Sequence, residues 1–125
     1  MTALVVDDSR AMRSIIRRMV EEVGGEVLQA GDGQEALSKL SEAGAVSVAI
    51  VDWNMPVMNG LEFVRAMRQN PAYKDVRVLM STTETERERV REALAAGADD
   101  YIMKPFSKEA MRDKLAALGL VQEGA

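Results

Sequence analysis

Residues 46–51, VSVAIV, form a nearly uninterrupted apolar run, followed at once by the polar and turn-forming stretch DWNMPVMNG at residues 52–60. A strand buried on both faces reads as such a continuous run, whereas a strand with one solvated face alternates apolar and polar residues. Strands of the first kind belong to parallel sheets that carry helices on both faces. This stretch therefore predicts a central strand of a parallel sheet, with a polar segment at its carboxyl end.

Four further short apolar runs alternate with longer segments in which apolar residues recur every three or four positions, as on one face of a helix. Five strand-helix units in 125 residues leave only short loops between them. We therefore predict an α/β fold, a doubly wound five-stranded parallel sheet with five helices on its two faces. The four further strands are predicted at residues 3–6, 26–30, 76–80 and 100–103.

The length of 125 residues is that of one ordinary domain, and no linker or low-complexity tract divides the chain. We expect a single domain over residues 1–125, in which residues 119–125 form a frayed tail. Polar residues stand where four of the helices are predicted to begin, and two of them are followed three positions later by Glu. The predicted helix caps are Ser9, Asp32, Thr85 and Ser107.

The composition excludes several classes of function. The 20 acidic residues outnumber the 16 basic ones, the formal charge is -4, and no basic tail is present, which argues against nucleic acid or an anionic membrane as a partner. The chain contains neither Cys nor His, so disulfides, thiolate chemistry and a histidine base are excluded. Any chemistry must therefore use carboxylates, hydroxyls and amines.

The sequence also bears on location. No apolar stretch approaches the roughly 18 residues that a membrane-spanning helix needs. The N-terminal stretch MTALVVDD lacks the basic region of a secretory signal peptide. We therefore expect a cytoplasmic protein.

Acidic side chains follow two of the predicted strands. Asp7 and Asp8 come directly after the first strand, and Asp52 follows the third. In an open parallel sheet, ligands bind beyond the carboxyl ends of the strands, where the direction of winding reverses. If the first and third strands are neighbours, three carboxylates converge and repel one another unless a cation lies among them. Mg²⁺ is the natural candidate, because it takes oxygen ligands and pairs with carboxylates and phosphoryl oxygens.

Hydroxyl and amine groups follow the other two strands. The fourth strand closes with Ser81, Thr82 and Thr83, and the fifth closes with Lys104. A divalent cation and a lysine would neutralise a phosphoryl group while a hydroxyl binds it. Asp52 is then a candidate nucleophile, since carboxylates form acyl phosphates. The phosphoryl donor must be another molecule, because this chain has no histidine.

Each of these residues has an ordinary structural explanation when it is taken alone. Asp7 and Asp8 can cap a helix, Asp52 can open a turn, Thr82 can cap a helix, and Lys104 can be a solvated amine. Their joint placement at the carboxyl ends of four different strands is what favours a functional site.

These residues lie in four motifs, LVVDDS, AIVDWNMPVMNG, LMSTTE and GADDYIMKPF. With these motifs the chain resembles the receiver domains of two-component response regulators, most closely the single-domain chemotaxis regulators of the CheY type. The resemblance covers nearly the whole chain, and the spacings of 30 residues from Asp52 to Thr82 and 22 from Thr82 to Lys104 match the family. It implies a flavodoxin-like fold with strand order 2-1-3-4-5.

The resemblance also implies roles for individual residues. Asp52 would be the phosphoacceptor. Asp8 would bind Mg²⁺ directly and Asp7 through water, and the backbone carbonyl of Asn54 would complete the protein ligands together with Asp52. The side chains of Asn54 and Glu84, each two residues after a site residue, would influence the hydrolytic water, and both match regulators that lose their phosphoryl group rapidly.

The remaining implied roles concern the change of conformation. Thr82 would be the switch hydroxyl that moves toward the phosphoryl group, and Lys104 the amine that pairs with it. Tyr101 would be an aromatic switch that turns inward behind Thr82. Pro105 would follow a cis peptide bond. The output surface would be formed by the fourth helix, the fifth strand and the fifth helix.

The function favoured by the sequence is a monomeric signalling switch that catalyses only its own phosphorylation and dephosphorylation. It would receive its phosphoryl group from a histidine kinase and act on a flagellar motor switch protein or another effector, with no DNA-binding module before the chain's end at Ala125. One alternative is a phosphorelay intermediate or phosphate sink. Another is a small Mg²⁺-dependent aspartyl phosphatase or phosphotransferase, although such enzymes typically carry a second acid where Asn54 stands.

Overall fold

The computed structural model describes residues 1–121, except for the side chain of Glu84. Its five strands form one parallel sheet in the order β2-β1-β3-β4-β5, as expected. The strands are β1 (Thr2–Val6), β2 (Glu26–Ala30), β3 (Val48–Asp52), β4 (Arg77–Thr82) and β5 (Asp100–Met103). The helices are α1 (Arg10–Glu22), α2 (Gly33–Ala43), α3 (Gly60–Arg68), α4 (Val90–Ala96) and α5 (Lys108–Ala117), with 3-10 segments at Pro71–Tyr73 and Glu84–Arg89.

The helices cover both faces of the sheet, as the periodicity predicts. On one face Val5 and Ile50 of the sheet pack with Ile16 of α1 and Leu115 of α5. On the other face the sheet packs against α2, α3 and α4, with Phe63 fully buried. In the described part of the chain, no helix is long and apolar enough to cross a membrane.

Two strands extend further than predicted at their carboxyl ends. Asp52 is the last residue of β3 and pairs in register with Ser81, while Thr82 is the last residue of β4. The apolar run begins at residue 46, but β3 begins at Val48. Backbone pairing sets these bounds, and a polar residue can pair as well as an apolar one at the end of a buried strand.

Three of the predicted helix caps are confirmed. The side chains of Ser9, Asp32 and Ser107 accept backbone N–H groups in the first turns of their helices. The fourth cap, Thr85, is wrong, because the 3-10 segment begins two residues earlier, after Thr83.

The predicted tail at residues 119–125 lies partly outside the described residues, at 122–125. Before that point the backbone N–H of Leu120 donates to the carbonyl of Leu115 at 2.9 Å. Leu120 and Val121 pack against the core on the side of α1 and α5.

The strand order explains where the site lies. β1 is hydrogen bonded to both β2 and β3, so the winding of the sheet reverses at β1. The residues after β1 and at the end of β3 therefore face one crevice at the carboxyl edge of the sheet.

Candidate functional site

Three carboxylates meet at the carboxyl edge of the sheet. Asp7, Asp8 and Asp52 each offer an oxygen atom, and these oxygens lie within 4.8 Å of one another. Asp7 and Asp52 are buried, with 2% and 7% of their surface exposed, whereas Asp8 is exposed. The structure thus brings together the three acids that the sequence places after two different strands, and leaves one of them open to solvent.

The backbone around Asp7 fixes its carboxylate. Its N–H donates to the carbonyl of Ala30 at 3.0 Å, and its carbonyl accepts from the guanidinium of Arg13 at 2.7 Å. One carboxylate oxygen, Oδ1, accepts from the N–H of Ser9 at 2.8 Å. The other, Oδ2, is buried and accepts no hydrogen bond within the described residues. A buried carboxylate oxygen without a hydrogen bond is costly unless a cation faces it.

The backbone of Gly60 packs closely against the backbone of Asp52. Its N–H donates to the carbonyl of Trp53 at 2.9 Å, which joins the start of α3 to the end of β3. A Cβ atom at residue 60 would overlap the carbonyl oxygen of Asp52. Glycine is therefore required here by the close approach of two backbone segments.

Lys104 provides the positive charge of the site. Its Nζ lies 3.0 Å from Oδ1 of Asp52 and 3.5 Å from Oδ2 of Asp7. The peptide bond that links Lys104 to Pro105 is cis, as the resemblance implied. A single ammonium group therefore faces two buried carboxylates, with Asp8 close by.

The pKa values of this pair follow from burial and from neighbouring charges. Burial raises the pKa of Asp52 above its usual range, the hydrogen bond from Lys104 counteracts this, and the negative charge of Asp7 adds to the rise. Burial acts to lower the pKa of Lys104, but its hydrogen bond and charge interaction with Asp52 prevail and raise it. Both pKa values are thus shifted upward, so Lys104 stays cationic and the Asp52 carboxylate gives up its proton less readily than an exposed aspartate.

Thr82 is fully buried at the end of β4, one residue after Ser81, which pairs with Asp52. Its carbonyl accepts from the N–H of Lys104 at 2.7 Å, and its hydroxyl donates to the carbonyl of Thr83 at 3.3 Å. Within the described residues, no hydrogen bond joins the Thr82 hydroxyl to Asp52. Its backbone is therefore tied to the site while its hydroxyl is turned to the adjacent loop.

Tyr101 lies next to Met80 in the sheet and is partly buried against the core. The ammonium of Lys114, on α5, lies 5.2 Å from the centre of its ring and 3.2 Å from the carboxylate of Asp100. Tyr101 is thus held by a cation–π contact and is not part of the acidic cluster.

The structure adds one residue that the sequence reasoning missed. Glu86 is buried, with 8% of its surface exposed, and its Oε2 accepts from the side-chain amide of Asn54 at 2.5 Å. Its Oε1 accepts from the N–H of Thr83 at 3.0 Å. The Thr-x-x-Glu pattern of residues 83–86 is the available sequence signal, since it matches a capping box. The side chain of the predicted residue Glu84 lies outside the described part of the chain.

A second contact joins the same segment to the loop after Asp52. The guanidinium of Arg89 lies 5.0 Å from the centre of the Trp53 ring, which is itself buried. The 3-10 segment Glu84–Arg89 is thus attached to both residues that directly follow Asp52.

The residues at the edge of the sheet suit a hard divalent cation. All the donor atoms of the cluster are carboxylate oxygens, which such cations prefer. The buried Oδ2 of Asp7 faces the Lys104 ammonium at 3.5 Å, but the three carboxylates outnumber this one ammonium, and a bound cation would relieve that excess. The cluster can therefore hold a metal ion.

Comparisons with known proteins agree with this fold and show the family. A family model described as the response regulator receiver domain matches residues 3–116. The chemotaxis protein CheY1 of Helicobacter pylori is 44% identical over 116 residues, which cover 92% of this chain and 94% of that protein. A chemotaxis protein CheY homolog of Campylobacter jejuni is 45% identical, with coverage of 92% of this chain and 89% of that protein. The solved structure of CheY4 from Vibrio cholerae has a TM-score of 0.86 at 42% identity, with coverage of 94% of this chain and 97% of that chain.

Proposed function

The chain belongs to the response regulator receiver domain family and is CheY-like, and we propose that it is a phosphorylation-activated switch that accepts a phosphoryl group on Asp52 from a histidine kinase. The observation that carries this proposal is the convergence of Lys104 and the carboxylates of Asp7 and Asp52 at the carboxyl edge of the sheet. The protein would act as a signalling switch of a two-component system, and would catalyse only its own phosphorylation and dephosphorylation.

In the proposed reaction, a carboxylate oxygen of Asp52 forms a bond to phosphorus while the phosphorus–nitrogen bond of a phosphohistidine breaks. The electron pair of that bond leaves with the histidine nitrogen, and Asp52 becomes an acyl phosphate. Lys104 is placed to bind a phosphoryl oxygen, because its Nζ is already 3.0 Å from the Asp52 carboxylate. Preorganised charge of this kind lowers the barrier without any rearrangement at the moment of transfer.

The proposed metal ion is Mg²⁺. Asp8 and Asp52 would hold it directly, Asp7 through water and Asn54 through its backbone carbonyl. When bound, it neutralises negative charge on the carboxylates and on the incoming phosphoryl group. The carboxylates lie close enough together to share one ion, and the role of Asp7 is favoured by its buried oxygen that accepts no hydrogen bond.

The change of conformation would begin at Thr82. Phosphorylation adds negative charge at Asp52 and would draw the Thr82 hydroxyl away from the carbonyl of Thr83, its present acceptor. Tyr101 would then turn inward behind it and leave Lys114. The surface formed by α4, β5 and α5 would carry this change to the partner.

We propose chemotaxis and control of a flagellar motor as the pathway, since both curated relatives named above are chemotaxis proteins. The partners would be a kinase that supplies the histidine absent from this chain and a motor switch protein or another effector. The protein would act in the cytoplasm as a monomeric single domain. We further propose that the phosphoryl group is short-lived, with Asn54 and Glu84 tuning the hydrolytic water.

Trp53 offers a direct test, because it adjoins Asp52 and is the only tryptophan of the chain. Its fluorescence should change on titration with Mg²⁺, and again when phosphoramidate is added. The second change should be absent in Asp52→Asn. No response in the native chain, or the same phosphoramidate response in the variant, would contradict the proposal.

A further inference from the structure

Glu86 is a buried carboxylate beside the loop that follows β3 and Asp52. Its two oxygens accept from the Asn54 side-chain amide at 2.5 Å and from the Thr83 N–H at 3.0 Å. Both donors are neutral, so these hydrogen bonds hold the carboxylate in place without neutralising its charge. The negative charge of the Glu86 carboxylate is therefore fixed against Asn54, two residues after Asp52.

The same contact joins two parts of the molecule that are far apart in sequence. Asn54 lies in the loop that follows β3, whereas Glu86 lies 32 residues later in the 3-10 segment before α4. Arg89 adds a second link through its contact with the ring of Trp53. Any movement of the segment Glu84–Arg89 away from the site must therefore break or rearrange both contacts.

We propose that Glu86 has two linked effects on phosphorylation. It is a positioning residue that holds the side-chain amide of Asn54, and its negative charge repels a phosphoryl group on Asp52. Glu86 thereby restrains phosphorylation. This inference rests on the proposed function. Phosphorylation replaces a single negative charge at Asp52 by a larger one, which increases its repulsion with a carboxylate that is already fixed nearby. Removal of the Glu86 charge should therefore favour the phosphorylated state.

The electrostatics of the site support this role. Burial is the main reason why the pKa of Asp52 is raised. The hydrogen bond from Lys104 lowers it, the charge of Asp7 raises it and the charge of Lys104 lowers it, while the charge of Glu86 makes the smallest contribution, which is upward. Two negative groups therefore already act on Asp52 before any phosphoryl group arrives. Asp7 faces Lys104, whereas Glu86 is held by the neutral amide of Asn54 and the N–H of Thr83.

The first experiment separates charge from hydrogen bonding. Beryllofluoride with Mg²⁺ imitates the phosphoryl group, and Trp53 fluorescence reports its binding. Glu86→Gln removes the charge but keeps a side chain that can bond to both Thr83 and a rotated Asn54 amide. We expect the variant to bind beryllofluoride about threefold more tightly or better. The matched control is Glu88→Gln, an exposed glutamate of the same segment, which should stay within about twofold of the native chain because its charge is solvent-screened.

The second experiment tests whether Glu86 acts through Asn54. Decay of the phosphoryl group is followed in Glu86→Ala, in Asn54→Ala and in the double variant. Loss of Glu86 should alter the decay rate about threefold or more in the native background, since double-mutant coupling between contacting residues is commonly of this size. In the Asn54→Ala background the same substitution should have a clearly smaller effect, because only the direct repulsion by the Glu86 charge is then removed. Thermal denaturation of each variant confirms that it is folded.

The outcomes distinguish this inference from the proposed function. If the native chain binds no beryllofluoride, both the proposed function and the proposed role of Glu86 are contradicted. If the native chain binds but Glu86→Gln behaves like Glu88→Gln, the inference alone is overturned. An effect of Glu86→Ala on decay that persists in full without Asn54 would also overturn it.

Discussion

Lys104 and Asp52, which are 52 residues apart in the chain, form an ion pair with 3.0 Å between Nζ and Oδ1. The same ammonium lies 3.5 Å from Asp7, and Asp8 completes the group of three carboxylates. Without a metal ion the site therefore carries excess negative charge in a buried place. Folding must overcome that repulsion, so removal of one of these charges should favour the folded state.

Replacement of Asp52 by Asn should stabilise the metal-free protein. The substitution removes one of three mutually repelling carboxylates, so we expect the free energy of unfolding at neutral pH to rise by about 1 kcal/mol or more. Chemical denaturation in the presence of EDTA measures it. The control is Asp113→Asn, an exposed aspartate of α5, which should change little. A lower free energy of unfolding for the Asp52→Asn variant than for the native protein would contradict the prediction.

The pH dependence has the corresponding sign. The pKa of Asp52 in the folded protein is raised by burial above the ordinary value of 3.8. At pH values between that ordinary value and the raised pKa, the folded state therefore holds a proton that the unfolded state has lost. The free energy of unfolding of the metal-free protein should fall as the pH rises from about 4 through the folded pKa. Comparison with Asp52→Asn isolates the contribution of this group, since the variant should lack that part of the decline. Identical pH profiles for the two proteins would refute this origin.

Gly60→Ala should damage both the fold and the metal site. A Cβ atom at this position overlaps the carbonyl oxygen of Asp52, and neither backbone segment can yield without moving the end of β3. We expect a loss of about 1–3 kcal/mol in stability and weaker Mg²⁺ binding. The matched control is Gly31→Ala, where the added Cβ would have only ordinary contacts with Arg13 and Glu35. Equal effects of the two substitutions would argue against the close approach at Gly60.

Val57→Asn should stabilise the protein. Val57 has a φ angle of 67°, a region that β-branched residues rarely adopt, and its two neighbours form a tight turn in which the Met58 N–H donates to the Pro56 carbonyl. Val57 is 82% exposed, so little packing is lost with the valine. We expect a gain of about 1 kcal/mol in thermal unfolding measurements. Val57→Thr, which remains β-branched, should bring no such gain.

Arg68→Ala should be strongly destabilising. The guanidinium of Arg68 donates to the carbonyls of Gly97 and Tyr73 at 3.0 Å and pairs with Asp99 at 3.2 Å. Its loss would leave these partly buried acceptors without their donor, at a cost of about 2–3 kcal/mol. The control is Arg65→Ala, an exposed arginine in the same last turn of α3, which should lower the unfolding free energy by less than about 1 kcal/mol. Similar losses for both arginines would show that the network contributes little.

The periodicity of the sequence was sufficient to predict the sheet and the helices, and it placed the carboxyl ends of β3 and β4 within two residues of where they lie. Asp52 and Lys104 could be expected to meet because the carboxyl ends of parallel strands share one edge. That inference needs the strand order, which the residues alone left conditional and the family resemblance supplied.

The start of the 3-10 segment could not be chosen from the sequence. Both Thr83 with Glu86 and Thr85 with Glu88 match the pattern of a capping box. The choice depends on the contact of Glu86 with Asn54, which joins two distant parts of the chain. Local patterns carry no information about such a contact, and the network around Arg68 escaped prediction for the same reason.

The central claim is tested most directly by locating the phosphoryl group itself. The full chain is incubated with Mg²⁺ and acetyl phosphate, and the intact protein and its peptides are then analysed by mass spectrometry. We predict one phosphoryl group on the peptide that contains Asp52, and none on the Asp52→Asn protein. No phosphoryl group on the native chain, a group on a different peptide, or undiminished incorporation in the variant would contradict the account.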